Sequence, residues 1–270
     1  MDQAITLRRL VDHAVKRAGA LTTGRVDLER AAADVTVRAG WPECLTGQPN
    51  LSVIAEVKRR SPSVGDIAPD VDPAGHARAY AAGGAAAVSV LTDDIHFGGS
   101  LDDLRLVAAA VDVPVLRKDF IVDPLQLLEA RAAGASAVLL IVRALSTRTL
   151  AALMRESEAL GLGTLVEVHH PGELDIALGT GAAVVGVNAR DLDTFNVDLD
   201  SMETVLGAIP SGVVAIAESG IGSTGDVERV AAWGADGILV GTSVVKAPDP
   251  AEAVRRLCGT ARRGRAKGAG

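Results

Sequence analysis

Short apolar runs rich in Val, Ile and Leu recur along the chain from residue 51, and Ala/Leu-rich stretches separate them. The runs are LSVIAEV (51–57), AAVSVL (86–91), VPVLRK (113–118), SAVLLIV (136–142), GTLVEV (163–168), AVVGVN (183–188), VVAIAE (213–218) and DGILVG (236–241). Their ends lie 20 to 34 residues apart, the length of one strand-plus-helix unit. Continuous apolar runs suit strands covered on both faces, and strand–helix alternation predicts a parallel sheet. Intervening stretches such as DPLQLLEARAAGA and STRTLAALMRESEALG have helical patterns. Several end in AGA, AGG or WGA, with Gly suited to the helix C-cap. Eight such units predict an α/β protein, a (β/α)8 TIM barrel. A doubly wound open sheet is the rival, but no GxGxxG follows the first run. Residues 1–50 differ. ITLRRLVDHAVKRA and VDLERAAADVTVRA have helical spacing, and WPECLTGQPN then breaks it. The predicted organisation is an N-terminal helical extension packed on the barrel (1–50), the barrel itself (51–258), and a flexible basic tail (259–270) ending in Gly and Ala.

Composition narrows the function classes. The 270 residues are 48% hydrophobic and 23% charged, a globular balance. No apolar run approaches the roughly 18 residues of a membrane span, so no membrane partner is expected. MDQAITLRRL lacks an apolar core and cleavage site, so no secretory signal is expected. A net charge of −7 argues against a nucleic-acid partner, which calls for a basic footprint. Cys44 and Cys258 are too few for a disulfide framework or a four-cysteine metal site, and predict a reduced, cytoplasmic setting. Monomer and homodimer both remain open.

Candidate chemistry follows from the fold, because barrels of this type carry it at the C-terminal ends of their strands. The first strand ends with Glu56 and Lys58, which share one face by the period of two and point into the barrel mouth. A purely structural buried ion pair there would give little stability over apolar packing. The chain uses 22 arginines and five lysines, yet Lys58 and Lys118 both sit at strand ends beside arginines. Arginine cannot yield a proton near neutral pH and lysine can, so this pair reads as proton donors or carbonyl partners. Glu167 is the candidate base. Asn188, Arg190, Glu218 and Ser219 occupy later strand ends. Lys58, Lys118 and Arg190 together predict a locally positive cleft for an anionic small molecule. Gly220, Gly241 and Thr242, with the hydroxyls of Ser61 and Ser63, are candidate phosphate contacts. Phe97, Phe120 and Phe195 all fall in predicted strand-to-helix loops, where rings can stack on an aromatic substrate or cap the core. His169 and His170 read as loop residues without a third ligand at metal spacing. Asp93 and Asp94 read as a solvated loop face.

At these residues the sequence resembles the indole-3-glycerol-phosphate synthase family. The matching motifs are IAEVKRRSPSVG (54–65), VSVLTDD and FGGS (within 88–100), PVLRKDFIVDPLQLLEARAAGASAVLLIV (114–142), LVEVHHPGELDIAL (165–178), VGVNARDLDTFNVD (185–198), AIAESGI (215–221) and LVGTSVV (239–245). They span the whole barrel in order. The resemblance implies ring closure, decarboxylation and dehydration of 1-(2-carboxyphenylamino)-1-deoxyribulose 5-phosphate, with no metal and no cofactor. It implies Lys118 as general acid and Glu167 as general base. Lys58 is implied as partner of the substrate carboxylate and second candidate proton donor, and Glu56 as the glutamate of the EVK motif. Asn188 is implied to hold substrate hydroxyls, supported by Arg190, Glu218 and Ser219. Ser61, Gly220, Gly241 and Thr242 match phosphate-binding positions, and Phe97 and Phe120 the pocket for the anthranilate ring. Arg60 and Val64 depart from the family's usual residues beside the phosphate loop, and His96 stands where an aromatic is common. A non-catalytic phosphosugar-binding paralogue and another phosphate-binding barrel enzyme are the alternatives. The intact Glu56, Lys58, Lys118 and Glu167 speak against the paralogue.

Overall fold

The computed structural model describes residues 6–21, 24–36, 38 and 40–265. Eight parallel strands form a closed barrel: β1 (Ser52–Val57), β2 (Ala87–Leu91), β3 (Val115–Lys118), β4 (Ala137–Ile141), β5 (Gly163–Val168), β6 (Val184–Asn188), β7 (Val214–Glu218) and β8 (Gly237–Val240). Each strand pairs with the next, and β1 closes on β8 from Ser52↔Gly237 to Ala55↔Val240. All eight predicted runs are strands, with bounds shifted by two residues at most.

The period of two sorts each strand into two cores. Val53, Ala55, Val57, Val138, Leu140, Val166 and Val185 face outward and pack under the helices. Ile54, Leu116, Leu139, Leu165, Val184, Ile216 and Leu239 face inward and fill the barrel. Helix starts are set by local chemistry. Asp123 and Gln126 form a capping box for Pro124–Ala132, with Pro in its first turn, and Ser223 with Asp226 does the same for Thr224–Ala232.

The extension packs on the barrel through two helices, α1 (Leu7–Gly19) and α2 (Arg25–Ala33). Helix α1 buries Leu7, Leu10 and Ala14 in the same cluster as the barrel interior and Phe120. Helix α2 sets Leu28 and Ala32 against Leu128.

The tail differs from the expected free end over residues 259–265. Leu51 N donates to Thr260 O (3.0 Å) and Arg262 N to Pro49 O (2.9 Å). The guanidinium groups of Arg262 and Arg265 both pair with the buried Asp236. A basic Gly-containing stretch looks solvated in one dimension; here a buried carboxylate supplies the counter-charge that pins it. Residues 266–270 lie outside the described residues.

Candidate active site

The inward-facing position next above the apolar fill is polar on five strands. Glu56 follows Ile54, Lys118 follows Leu116, Glu167 follows Leu165, Asn188 follows Gly186, and Glu218 follows Ile216, each two residues on. Strand tilt brings these tops together around one cavity of ≈ 420 Å³. The cavity is lined by Glu56, Lys58, Lys118, Glu167, Asn188, Glu218 and Ser219, by Arg190, Phe97 and Phe120, and by Ser61, Gly220, Gly241 and Thr242. These catalytic, substrate and phosphate candidates of the sequence therefore line one space.

Lys118 is the hub. Its Nζ lies 3.5 Å from Glu218 Oε2, 3.8 Å from Glu167 Oε2 and 3.9 Å from Glu56 Oε2. Lys58 Nζ lies 3.1 Å from Glu56 Oε1. Burial works against the Lys118 ammonium, but Glu218, Glu56 and Glu167 hold it well above the ordinary lysine range. Burial likewise opposes ionisation of Glu56, yet Lys58 and Lys118 hold it below the usual carboxylate range. Glu218 goes the other way. Burial pushes it up to about 8 against the pull of Lys118, with Glu167 and Glu56 adding to the push. Three buried carboxylates, Glu56, Glu167 and Glu218, line the floor beside Lys58, Lys118 and Arg190, so the cations expected from the sequence have close carboxyl neighbours there, but Glu218, which keeps its proton up to about 8, does not offset them near neutral pH. Strand alternation reveals each of these groups but not how they pair. Both Glu218 carboxylate oxygens and Glu167 Oε1 are buried and accept no protein hydrogen bond; Glu167 Oε1 lies 3.7 Å from His169 Nε2, on the side away from Lys118.

A raised carboxylate pKa has a definite sign. Between the ordinary glutamate value and about 8 the folded chain keeps a proton at Glu218 that the unfolded chain releases, so stability falls as pH rises through that window. Glu218→Gln removes this loss. Its melting temperature relative to the parent is expected to climb from pH 5 to pH 9 in paired calorimetric scans, and a constant offset would contradict the raised value.

Gly186 on β6 was not recognised from the sequence. A Cβ there would collide with Glu218 Oε1 and lie 3.3 Å from Leu165 Cδ1. The residue is small because the Glu218 carboxyl occupies its side-chain space, and Gly inside a strand is the only signal. Gly186→Ala is expected to displace Glu218 and cut kcat at least about tenfold, with a smaller change in KM; unchanged kcat in steady-state assays would refute the crowding argument.

Around this centre the loops are cross-tied. Asn188 Oδ1 accepts from Arg190 N (3.0 Å). Arg190 Nη1 donates to Ser63 Oγ (3.1 Å) and Phe195 O (2.9 Å), joining the loops after β1 and β6. Ser219 and Gly220 both have left-handed backbones, φ 68 and 74, an unusual conformation for Ser that reports strain at the β7 end. Gly241 also allows a close approach: a Cβ there would lie 2.6 Å from Glu56 Oε1 and 3.0 Å from Lys58 Nζ. The rings of Phe97 and Phe120 stand 6.3 Å apart at 40° and form an apolar wall. Arg60 turns away to Asp66 (3.5 Å) across a two-residue hairpin, while Val64 is exposed at the cavity rim.

Three smaller readings change. Phe97 ends a short helix, Asp94–Phe97, rather than lying in a loop. Asp93 is buried, 1% exposed, because its carboxylate caps that helix by accepting from His96 N (2.6 Å); Asp94 alone is solvated. His169 is not a free loop residue. Its side chain is 7% exposed and sits between Glu173 (Nδ1–Oε2 3.3 Å) and Glu167 (Nε2–Oε1 3.7 Å), behind the candidate base. Burial opposes its protonation, and Glu173 and Glu167 outweigh that, so its pKa is raised. Asp119, Arg117 and Thr92 were also missed as a group; they form a buried network under Lys118.

Ionisable side chains gathered at the C-terminal mouth define the chain as a (β/α)8-barrel enzyme. Two solved structures share the fold: thiamine phosphate pyrophosphorylase from Pyrococcus furiosus (TM-score 0.57, 18% identity, 76% of this chain and 93% of that one) and N-acetylmannosamine-6-phosphate 2-epimerase from Clostridium perfringens (TM-score 0.57, 14% identity, 72% and 88%). At these identities the likeness concerns fold alone. A sequence model of the family described as indole-3-glycerol phosphate synthase matches residues 8–257. Relatives of that name include one from Mycobacterium ulcerans (53% identical, covering 78% of this chain and 77% of the relative) and one from a Nocardioides species (52% identical, 88% and 91%). The chain belongs to the indole-3-glycerol phosphate synthase family.

Proposed function

We propose that the mouth of this barrel closes the pyrrole ring of 1-(2-carboxyphenylamino)-1-deoxyribulose 5-phosphate, releasing carbon dioxide and water to give indole-3-glycerol phosphate in tryptophan biosynthesis. The chain is on this reading a decarboxylating carbon–carbon lyase. The observation that carries the site assignment is Lys118, held protonated among Glu56, Glu167 and Glu218 with Lys58 beside it.

The substrate's parts correspond to the cavity's. The Phe97–Phe120 wall takes the anthranilate ring. Lys58 pairs with the ring carboxylate, and Asn188, Glu218 and Ser219 hold the hydroxyls with Arg190 in support. The phosphate lies against Ser61, Gly220, Gly241 and Thr242. The cavity volume is in the range of small-ligand sites. In the first step the ring carbon bearing the carboxylate attacks the ketone carbon. The carbonyl π electrons move to oxygen, which takes a proton from Lys118. The carboxylate then leaves as carbon dioxide, and its bonding pair restores the aromatic ring. The new hydroxyl leaves as water with a second proton from a lysine. Glu167 takes a proton from the neighbouring carbon, and the indole double bond forms. Glu56 acts as counter-ion to both lysines. Cys44 and Cys258 are free and nothing in these steps is oxidised, which suits a reducing cytoplasm.

The test is turnover of the carboxyphenylamino-deoxyribulose phosphate by the purified chain, followed by indole fluorescence, together with competition by the reduced substrate analogue. Steady indole formation, inhibited by the analogue, is expected. Analogue binding without turnover would leave a binding protein, and absence of both would overturn the reading.

A further inference from the structure

We propose that His13, Asp93 and His96 form a site for a divalent transition-metal ion of the zinc class, and that this ion latches α1 to the rim of the active-site cavity. The three residues come from two elements that nothing covalent holds together: His13 from α1, and Asp93 and His96 from the start of the short helix after β2. One donor atom from each, nitrogen, oxygen and nitrogen, lies within 4.8 Å of the other two.

The spacing fits an ion. His96 Nδ1 is 3.2 Å from Asp93 Oδ1 and 3.3 Å from Oδ2. An edge of about 3.3 Å is what a tetrahedron gives when each ligand is about 2.0 Å from its centre. His13 Nε2 is 3.9 Å from Asp93 Oδ2, so that side closes with a shift of under about an ångström, and the two imidazole donors already lie within 4.8 Å of each other. The His13 and His96 rings already meet edge to face, with centroids 5.3 Å apart. Asp94 Oδ1, 3.0 Å from His13 Nε2 and largely exposed, offers a fourth ligand on the solvent side, where an ion can enter. Arg17 is the neighbouring cation, 3.8 Å from Asp94, but its other arm is held 2.6 Å from Asp119. Two carboxylates against one guanidinium leave the pocket negative. Two imidazoles with carboxylate oxygens select zinc, cobalt or nickel over magnesium and calcium, which demand oxygen ligands.

The consequence is positional. Asp93 and Phe97 line the substrate cavity on either side of His96 in sequence. An ion bridging to His13 would fasten the N-terminal helix to the segment that carries the aromatic wall, away from the reacting atoms. Activity without metal is therefore expected to persist.

The full chain, stripped with chelator and dialysed, would be titrated with Zn²⁺ by calorimetry and with Co²⁺ by visible absorption. One ion per chain at micromolar affinity, tetrahedral cobalt bands and a raised Tm are expected. His13→Gln and His96→Gln should each weaken Zn²⁺ binding about tenfold or more, and His76→Gln should not. Resonances of the histidine ring nitrogens give the same decision without substitution, since those of His13 and His96 must move on Zn²⁺ addition. No uptake of the ion, uptake that survives both substitutions, or unmoved His13 and His96 signals would each overturn the site.

Discussion

Lys118→Ala is expected to lower kcat by about 10²–10⁴-fold while binding of the reduced substrate analogue changes far less. The loss corresponds to roughly 3–5 kcal/mol of transition-state stabilisation, at about 1.4 kcal/mol per tenfold. The reason is geometric and electrostatic together. Lys118 Nζ is the cation within 4 Å of all three floor carboxylates. On the proposed mechanism, removing it takes away the proton offered to the ketone. It also leaves Glu56, Glu167 and Glu218 facing one another, so burial and mutual repulsion drive protons onto them. Lys118→Arg separates the two effects. Arginine keeps the charge and cannot release a proton, so it should preserve the fold and the analogue's affinity and still fail to turn over. Single-turnover kinetics with calorimetric binding measure both quantities. Turnover near the parent value in either variant would remove Lys118 from the acid role.

Asp119→Ala is expected to destabilise the chain by about 3–5 kcal/mol, a fall in Tm of roughly 10 °C for a domain of this size. Asp119 has a fully buried side chain that collects four donors. Thr92 Oγ1 and Arg17 Nη2 each donate at 2.6 Å, Phe120 N at 2.8 Å and Arg117 Nη2 at 3.0 Å. Arg117 is itself buried and ties onward to Thr92 Oγ1 and Gln126 O. Truncation therefore strands a buried guanidinium, and it also releases Arg17, the tie between α1 and the barrel mouth. Urea denaturation measures the loss; a change under about 1 kcal/mol would show that water or Glu129, 3.5 Å from Arg117, takes over. The pH dependence has the opposite sign to that of Glu218. Burial raises the Asp119 pKa, but Arg117 and Arg17 more than reverse this and hold it below the aspartate range. The stability it contributes is complete above the unfolded value and disappears as pH falls through the folded one. The gap between parent and Asp119→Ala should accordingly narrow in acid.

The two variants differ in what the sequence reveals of them. Lys118 was legible because lysine is rare in this chain and this one ends a strand. Asp119, one residue on, looked like part of a motif and nothing more, since its four donors come from α1, from the β2 end, from β3 and from its own neighbour Phe120. Gly186 is similar. A strand glycine signals close approach, but that the approaching group is Glu218 depends on which strand stands beside β6. The pairing Asn188↔Glu218 is a matter of barrel register. His96 stood out only as a departure from the family's usual residue and His13 not at all; far apart in the chain, they are brought together only when α1 docks.

Secondary structure and facing are local properties. A strand alternates its side chains with period two whatever surrounds it, so the eight strands, the barrel, the inward set Glu56, Lys118, Glu167, Asn188 and Glu218, and the family were all decided by the order of residues. Charge balance, burial and proton affinity are sums over neighbours from different strands. Only barrel closure and the docking of the chain's ends determined that Glu218 binds its proton tightly while Glu56 does not, that Lys118 sits among three carboxyl groups, and that Asp236 holds residues 259–265. Each depends on distances of under 4 Å between groups that no local pattern relates, and in a low-dielectric interior such distances set the energy.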